Sequence, residues 1–345
     1  MAESQIKPTA MKKSILLGLM LLFVSLSAQA QTNYNLPFLH VEGNQFVNEA
    51  GEEVRLRGMS SSDPDKLEKQ GQWNREYFEV AKSWGSNLMR LPVHPSAWRE
   101  RGQDEYLKLI DQALEWANEL EMYVIIDWHT IGNPRTELVQ NPMYNTTMTE
   151  TLRFWQIIST RYKGNPVAAF YEVWNEPTRY NGTLGRITWE QYTDLMEEII
   201  YVIYAHDDAV IPLVGGFNWA YDLTEVKNHP IDAEGIAYVA HPYPQKREQP
   251  WEEKWEADWG YVADTYPMIA TEFGYMSADG PGAHIPVLGD EVYGEAIVNY
   301  FEKKGVSWAV WVFDPQWSPQ MFSDWDFTPT AQGEFFSKKM KALNK

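Results

Sequence analysis

The sequence predicts a (β/α)8 barrel, and three observations predict it. Eight short apolar, β-branched runs recur along the chain, stretches of helical period separate them, and no Ser-, Gly- or Pro-rich linker interrupts the series. A barrel of this kind occupies roughly 250 residues plus insertions, which fits within the 345 residues here. The competing architecture, a doubly wound open sheet, calls for a Gly-rich phosphate loop after its first strand. Val54-Arg55-Leu56-Arg57-Gly58-Met59 offers none.

Each element follows in order. Met11-Lys12-Lys13 opens a positive stretch, Ile15 to Leu26 is apolar, and Ser27-Ala28-Gln29-Ala30 closes with an A-x-A pattern. That is the form of a secretory signal peptide, and the apolar run falls short of the about 20 residues of a membrane span. Residues 1–30 therefore read as leader and signal peptide. Cleavage near Ala30 is expected to give a secreted protein, extracellular or periplasmic, with no membrane attachment. Residues 31–345 read as a single catalytic domain. It opens with a small hairpin, Leu39–Val47 and Glu53–Leu56 around the turn Asn48–Gly51, expected to lie across the barrel bottom. Strands are expected at Val54–Gly58, Asn87–Pro92, Met122–Trp128, Ala168–Trp174, Val210–Val214, Gly235–Ala240, Met268–Phe273 and Val306–Phe313. The clearest helical patterns are Tyr106–Leu120 and Tyr192–Tyr204. Others cover Glu76–Trp84, Thr149–Tyr162, Glu253–Tyr266, Glu291–Lys304 and Gly333–Leu343.

Composition removes several functions. The 48 acidic residues outnumber 29 basic ones, and the net charge of −19 argues against nucleic acid and anionic membranes as partners. Without cysteine there is no disulfide scaffold, thiolate zinc site or cysteine nucleophile. The seven histidines show no H-E-x-x-H or comparable metal spacing, and no G-x-S-x-G, P-loop or dinucleotide fingerprint appears. No cofactor or metal is expected. Sixteen tryptophans point instead to flat apolar surfaces offered to a ligand.

In a barrel, chemistry sits at the C-terminal ends of the strands. Reading those ends alone gives Arg90, Asp127-Trp128-His129, Asn175-Glu176, His241 with Tyr243, Glu272, and Trp311. Glu176 and Glu272, at strands four and seven, face each other across the mouth. Paired carboxylates can cleave a glycosidic bond when one is protonated and the other ionised. Arg90 is the natural neighbour to keep one ionised. Glu172, two strand positions before Trp174, reads as a partner of Arg90 and not as a third catalyst. Trp219 and Trp128 are candidate sugar platforms. His94, Trp98, Trp73, Trp251 and Trp317 are weaker ones, while Trp84, Trp116 and Trp155 fall on helix faces and read as core.

In order, RLRGMS, NLMRLPV, YVIIDWH, YEVWNEPT, HPYP, ATEFG and WAVWVFD resemble the barrel signature of family-5 glycoside hydrolases, the cellulase-rich family of clan A. The resemblance implies a retaining β-glycosidase with Glu176 as acid/base and Glu272 as nucleophile. Arg90, His129, Asn175, His241, Tyr243 and Trp311 fall on its remaining site positions. Tyr243 is expected to hydrogen-bond the nucleophile, Asn175 to hold a sugar 2-hydroxyl, the histidines to orient hydroxyls or the acid/base, and Trp311 to floor the subsite at the cut. The expected activity is that of a secreted endo-β-1,4-glucanase acting, as a monomer, on cellulose chains or mixed-linkage β-glucan. A β-mannanase, xyloglucanase or xylanase on the same scaffold is the alternative, and a non-catalytic carbohydrate-binding protein the remote one.

Overall fold

The computed structural model describes Met1, residues 34–178 and residues 181–344. The signal-peptide segment, Met1 apart, lies outside the described residues. Eight strands make a closed barrel: β1 (Arg57–Ser61), β2 (Leu88–Val93), β3 (Tyr123–Trp128), β4 (Phe170–Glu172), β5 (Ile211–Gly215), β6 (Ala237–Val239), β7 (Met268–Ala270) and β8 (Ser307–Phe313). Each pairs in parallel with the next, and β8 closes on β1.

The period of two along each strand divides the core into two layers. Met89, Leu91, Val124, Ile126, Trp128, Tyr171, Trp308 and Val310 face outward, into the layer shared with the helices. Leu88, Tyr123, Ile125, Phe170, Ile269 and Ala309 belong to a separate inner cluster at the barrel's lower end. One step up the same inner face stand Arg90, Asp127 and Glu172, all fully buried. The interior is thus apolar below and charged above.

The N-terminal hairpin plugs the lower end. Its strands are Leu39–Glu42 and Gln45–Asn48, turned at Gly43-Asn44 with Gly43 at φ +62°. The expected second leg differs: Glu53 makes only a single bridge to Val47, and Val54 donates its N–H to Phe46 O at 2.8 Å. Phe46 meets the edge of Phe170 at 5.1 Å, which carries the hairpin into the inner cluster. Because 53–56 is engaged there, β1 begins at Arg57, three residues later than the apolar run suggests. Its upper part is the buried pair Ser60-Ser61, invisible to a search for hydrophobic strands.

Helices Arg75–Ser83, Gln103–Glu119, Met148–Tyr162, Trp189–Tyr204, Glu291–Lys304 and Ala331–Leu343 lie close to expectation. Their ends follow local chemistry. Thr188 and Gln191 form a capping box, and Asp290 caps a helix whose last turn holds Lys303 and Lys304 before left-handed Gly305. Two departures occur. The expected helix Glu253–Tyr266 splits into Glu252–Asp258 and a 3-10 turn, Gly260–Asp264. Gly260 lies so close to Tyr300 that a Cβ there would sit 1.8 Å from its hydroxyl. Between β5 and β6 the sole helix-like element is the four-residue Phe217–Ala220, so one of the eight units lacks a full helix.

Candidate active site

Strand direction brings the upper inner residues to one point. Glu272 follows β7 by two residues, His241 follows β6 by two, and His129 directly follows β3. Glu176 arrives differently. The chain bends after β4, and Glu176–Pro177 leaves the barrel to pair in parallel with Ile131–Gly132 in a three-stranded side sheet completed by Leu138–Val139. Its N–H donates to Thr130 O at 3.0 Å, so backbone pairing fixes where the carboxylate stands.

Arg90 is the hub. Nε donates to Glu172 at 2.6 Å and Nη1 to Glu272 Oε1 at 2.9 Å. Nη2 donates to Asn175 Oδ1 at 2.6 Å and lies 2.9 Å from Asp127. The Tyr243 hydroxyl donates to Glu272 Oε2 at 3.0 Å. His241 lies between Glu176 Oε1, 3.0 Å from Nδ1, and Thr271 Oγ1, 2.9 Å from Nε2. His129 Nδ1 stands 2.6 Å from Asp127. One carboxylate oxygen of Glu176 and one of Glu272 lie within 4.8 Å of each other and of a His241 nitrogen. Among the described residues this is the one cluster with metal-ligand spacing. Its atoms are already engaged by Arg90, Tyr243 and one another, which suits proton handling better than holding a cation.

The electrostatics follow from burial and neighbours. Burial lowers the proton affinity of His241, but Glu272, Glu172 and Glu176 outweigh it and push the pKa up to about 9. Burial also drives the Glu272 carboxyl above its ordinary value, with Glu176 and Glu172 adding to it, against the pull of His241 and Arg90. Glu172 goes the other way: burial is opposed by Arg90 and His241, which hold it below the usual range. Burial, reinforced by His94, Arg90 and His241, drives His129 well below, toward the neutral imidazole.

Above these groups opens a cleft of about 750 Å³ whose wall includes Trp219, Trp311, Trp317, Tyr144 and His94. Glu176, Glu272, Asn175, His129 and Tyr243 reach it. The Asn175 amide nitrogen, buried and without a partner in the protein, is a spare donor there. Trp219 stands on a left-handed run of three non-glycine residues, Asn218 (φ 58°), Trp219 (φ 59°) and Ala220 (φ 52°). Such positions cost about 1–3 kcal/mol each and persist only where contacts enforce them. Here Gln140 accepts from Trp219 Nε1 at 2.7 Å, and Lys246 donates to Asn218 O at 2.8 Å.

Three expected substrate contacts are corrected. Trp128 is fully buried on the helix side, stacked on Phe154 at 4.1 Å and bonded to Thr151, because strand alternation turns it away from Asp127 and His129. Arg90 and His241 are also fully buried: they lie beneath the carboxylates they hold, not on the cleft wall. Trp73 and Trp98 pack in the core, and Trp251 lies between outer helices, while His94 and Trp317 do line the cleft. Asp63 pairs with His94 at 2.8 Å. Tyr144, Gln140 and Lys246 went unselected. The one signal for Tyr144 is its position in a loop directly after a strand end that bears chemistry.

A barrel with paired glutamates held by arginine, tyrosine and histidine at its strand ends defines a class, the glycoside hydrolases. The family model for Cellulase (glycosyl hydrolase family 5) matches residues 47–316, and the chain belongs to that family. It is 32% identical over 260 residues to endoglucanase A of Butyrivibrio fibrisolvens, covering 71% of this chain and 53% of that one, so it spans about half of that protein's length. Among solved structures it is 51% identical to a β-glucanase from Saccharophagus degradans, with TM-score 0.88 over 90% of this chain and 94% of that one. The same β-glucanase in complex with cellotetraose matches at 50% identity and TM-score 0.88, over the same shares of the two chains.

Proposed function

We propose that the chain is a secreted endo-β-1,4-glucanase that cleaves internal bonds of cellulose chains or mixed-linkage β-glucan with retention of configuration. The observation that carries this reading is the closeness of the two carboxylates, with oxygens within 4.8 Å. Retaining pairs stand roughly 5–5.5 Å apart, whereas inverting pairs stand roughly 6.5–9.5 Å apart to admit a water. Glu272 attacks the anomeric carbon as Glu176 gives its proton to the leaving oxygen; the glycosidic bond breaks and an ester to Glu272 forms. Water then attacks the same carbon, Glu176 takes its proton, and Glu272 is released. Forming the ester removes the charge on Glu272, so Arg90 and Tyr243 hold the carboxylate most tightly when it is free. His241 aims Glu176, and Asn175 Nδ2 is placed to donate to a sugar hydroxyl.

The aromatic cleft suits pyranoses, whose apolar faces stack on rings. The glucan choice is supported by the endoglucanase and β-glucanase names of the relatives, and by the cellotetraose bound to one of them. Export is supported by the charged start, apolar run and A-x-A end of residues 11–30. Two measurements test the reading. Carboxymethyl cellulose, mixed-linkage β-glucan, mannan and xyloglucan are assayed side by side, and a 2-fluoro-glycoside is used to trap the intermediate. Cleavage of the glucans with a mass adduct on Glu272 is expected. Cleavage of mannan alone rejects the substrate, and an adduct on another residue rejects the mechanism.

A further inference from the structure

Beneath Glu176, four buried side chains hydrogen-bond in line. Arg90 Nε donates to Glu172 Oε2 at 2.6 Å, and Glu172 Oε1 accepts the Thr271 hydroxyl at 2.9 Å. Thr271 Oγ1 lies 2.9 Å from His241 Nε2, and His241 Nδ1 lies 3.0 Å from Glu176 Oε1. Thr271 directly follows β7 and Glu172 ends β4; both are fully buried and neither lines the cleft. The direct separation of His241 Nε2 from Glu172 Oε1 is 3.6 Å, too long for a hydrogen bond, so the hydroxyl is the bridge.

The direction of each bond follows from the two ends of the line. Arg90 and His241 keep Glu172 ionised, so Oε1 carries no proton and can only accept. A threonine hydroxyl has one hydrogen, and it goes to Glu172. Oγ1 is left to accept from His241, which must then carry a proton on Nε2. Of the two neutral imidazoles this selects the one whose lone pair is on Nδ1, and Nδ1 faces Glu176. Nδ1 accepts from Glu176 when that carboxyl is protonated, and donates to it as the imidazolium when it is ionised. The histidine thus stays bonded to Glu176 through both halves of the double displacement. The proton that Glu176 gives to the leaving oxygen, as the glycosidic bond breaks, is replaced by the one it takes from water; Nε2 keeps its own throughout. The other charged groups near the ring do not set this direction. Glu272 Oε2 is 3.9 Å from Nδ1, Arg90 is bonded to Glu172 and Glu272, and His129 after β3 is driven toward the neutral form.

We infer that Thr271 and Glu172 are positioning residues for the acid/base: by fixing a proton of His241 on Nε2 they give Nδ1 to Glu176 in both of its protonation states. This rests on the glycosidase reading of Glu176 and Glu272.

Two substrates that differ in their need of an acid test it. Mixed-linkage β-glucan loses a sugar alkoxide, which must be protonated as it leaves, whereas 2,4-dinitrophenyl β-cellobioside loses a stable phenolate, which need not be. Thr271→Val keeps the volume and removes the hydroxyl. It should lower kcat/KM on the glucan about tenfold or more, and on the dinitrophenyl glycoside by no more than about threefold. Thr271→Ser returns the hydroxyl and should bring the glucan value back to within about threefold of the parent. In Thr271→Val the basic limb of the glucan pH profile should move down by about one unit, because the Glu176–His241 pair loses an acceptor that favours its protonated form. If Thr271→Val does not fold, Thr271→Ala takes its place. Equal losses on the two substrates, no loss on the glucan, no rescue by serine, or an unmoved basic limb overturns the positioning role. Failure of the parent protein to hydrolyse either substrate condemns the glycosidase reading itself, whereas the variant ratios bear on the positioning alone.

Discussion

The lower and upper halves of the barrel interior are built from the same strands by the same alternation, yet they obey different physics. Below, Leu88, Ile125 and Phe170 bury apolar surface against Phe46 and Leu39 of the hairpin, and each such side chain stabilises the fold. Two residues further along those strands, Arg90, Asp127 and Glu172 are withdrawn from water at a cost that mutual pairing only offsets. With Glu176 and Glu272, four carboxyl groups share the two cations Arg90 and His241. The lower half should be optimised for stability, and the upper half for charge placement at some expense of it.

The largest effect should fall on the upper half. Glu272→Gln or Glu176→Gln is expected to lower kcat by on the order of 10³-fold or more, or about 4 kcal/mol in the transition state. Replacing one of four crowded carboxyl groups with a neutral amide should leave the thermal unfolding midpoint no lower than the parent's. A clear fall in that midpoint would break the contrast between the halves.

Next comes the lower half. Phe170→Ala should destabilise by about 3–5 kcal/mol, read by denaturant unfolding, while kcat per folded molecule at low temperature stays unchanged. A selective loss of turnover would mean that the lower apolar layer also shapes the site.

Smaller effects sharpen the electrostatic side. Glu272 must be ionised to attack, and its proton affinity is raised, so the acid limb of kcat/KM should lie above the ordinary glutamate value. Tyr243→Phe removes a donor that favours the anion and should move that limb to still higher pH. His241 titrates near 9 in the fold against about 6.5 when unfolded, so its protonated form stabilises the native state. That contribution is fully present below about 6.5 and is lost as pH rises through about 9. The thermal midpoint should fall across that window, and less so in His241→Gln. The smallest effect is expected at Trp128→Phe, which trims the helix-side core: about 1 kcal/mol of stability with KM unmoved.

Much of this was legible without coordinates. The alternating runs announced the barrel, and the order of strand ends selected both glutamates, with Arg90, Asn175 and Tyr243 around them. Trp128 was misread although the signal was present: its parity along β3 is opposite to that of Tyr123 and Ile125. The Ser60-Ser61 end of β1 was missed because its burial is bought by hydrogen bonding, which no hydrophobic pattern records.

Periodicity is a local property, and it is enough to decide which residues make strands, which face the axis and which carboxylates reach the mouth. The sequence therefore determined the barrel and which two glutamates meet at its mouth. It had no means of showing that Glu176 is seated by a side sheet, that Asp63 meets His94, or that Lys66 pairs with Asp314 across 248 positions. Those contacts join separate loops whose backbones follow no repeat. Their geometry exists only once the eight strands have closed and brought the loops over one opening.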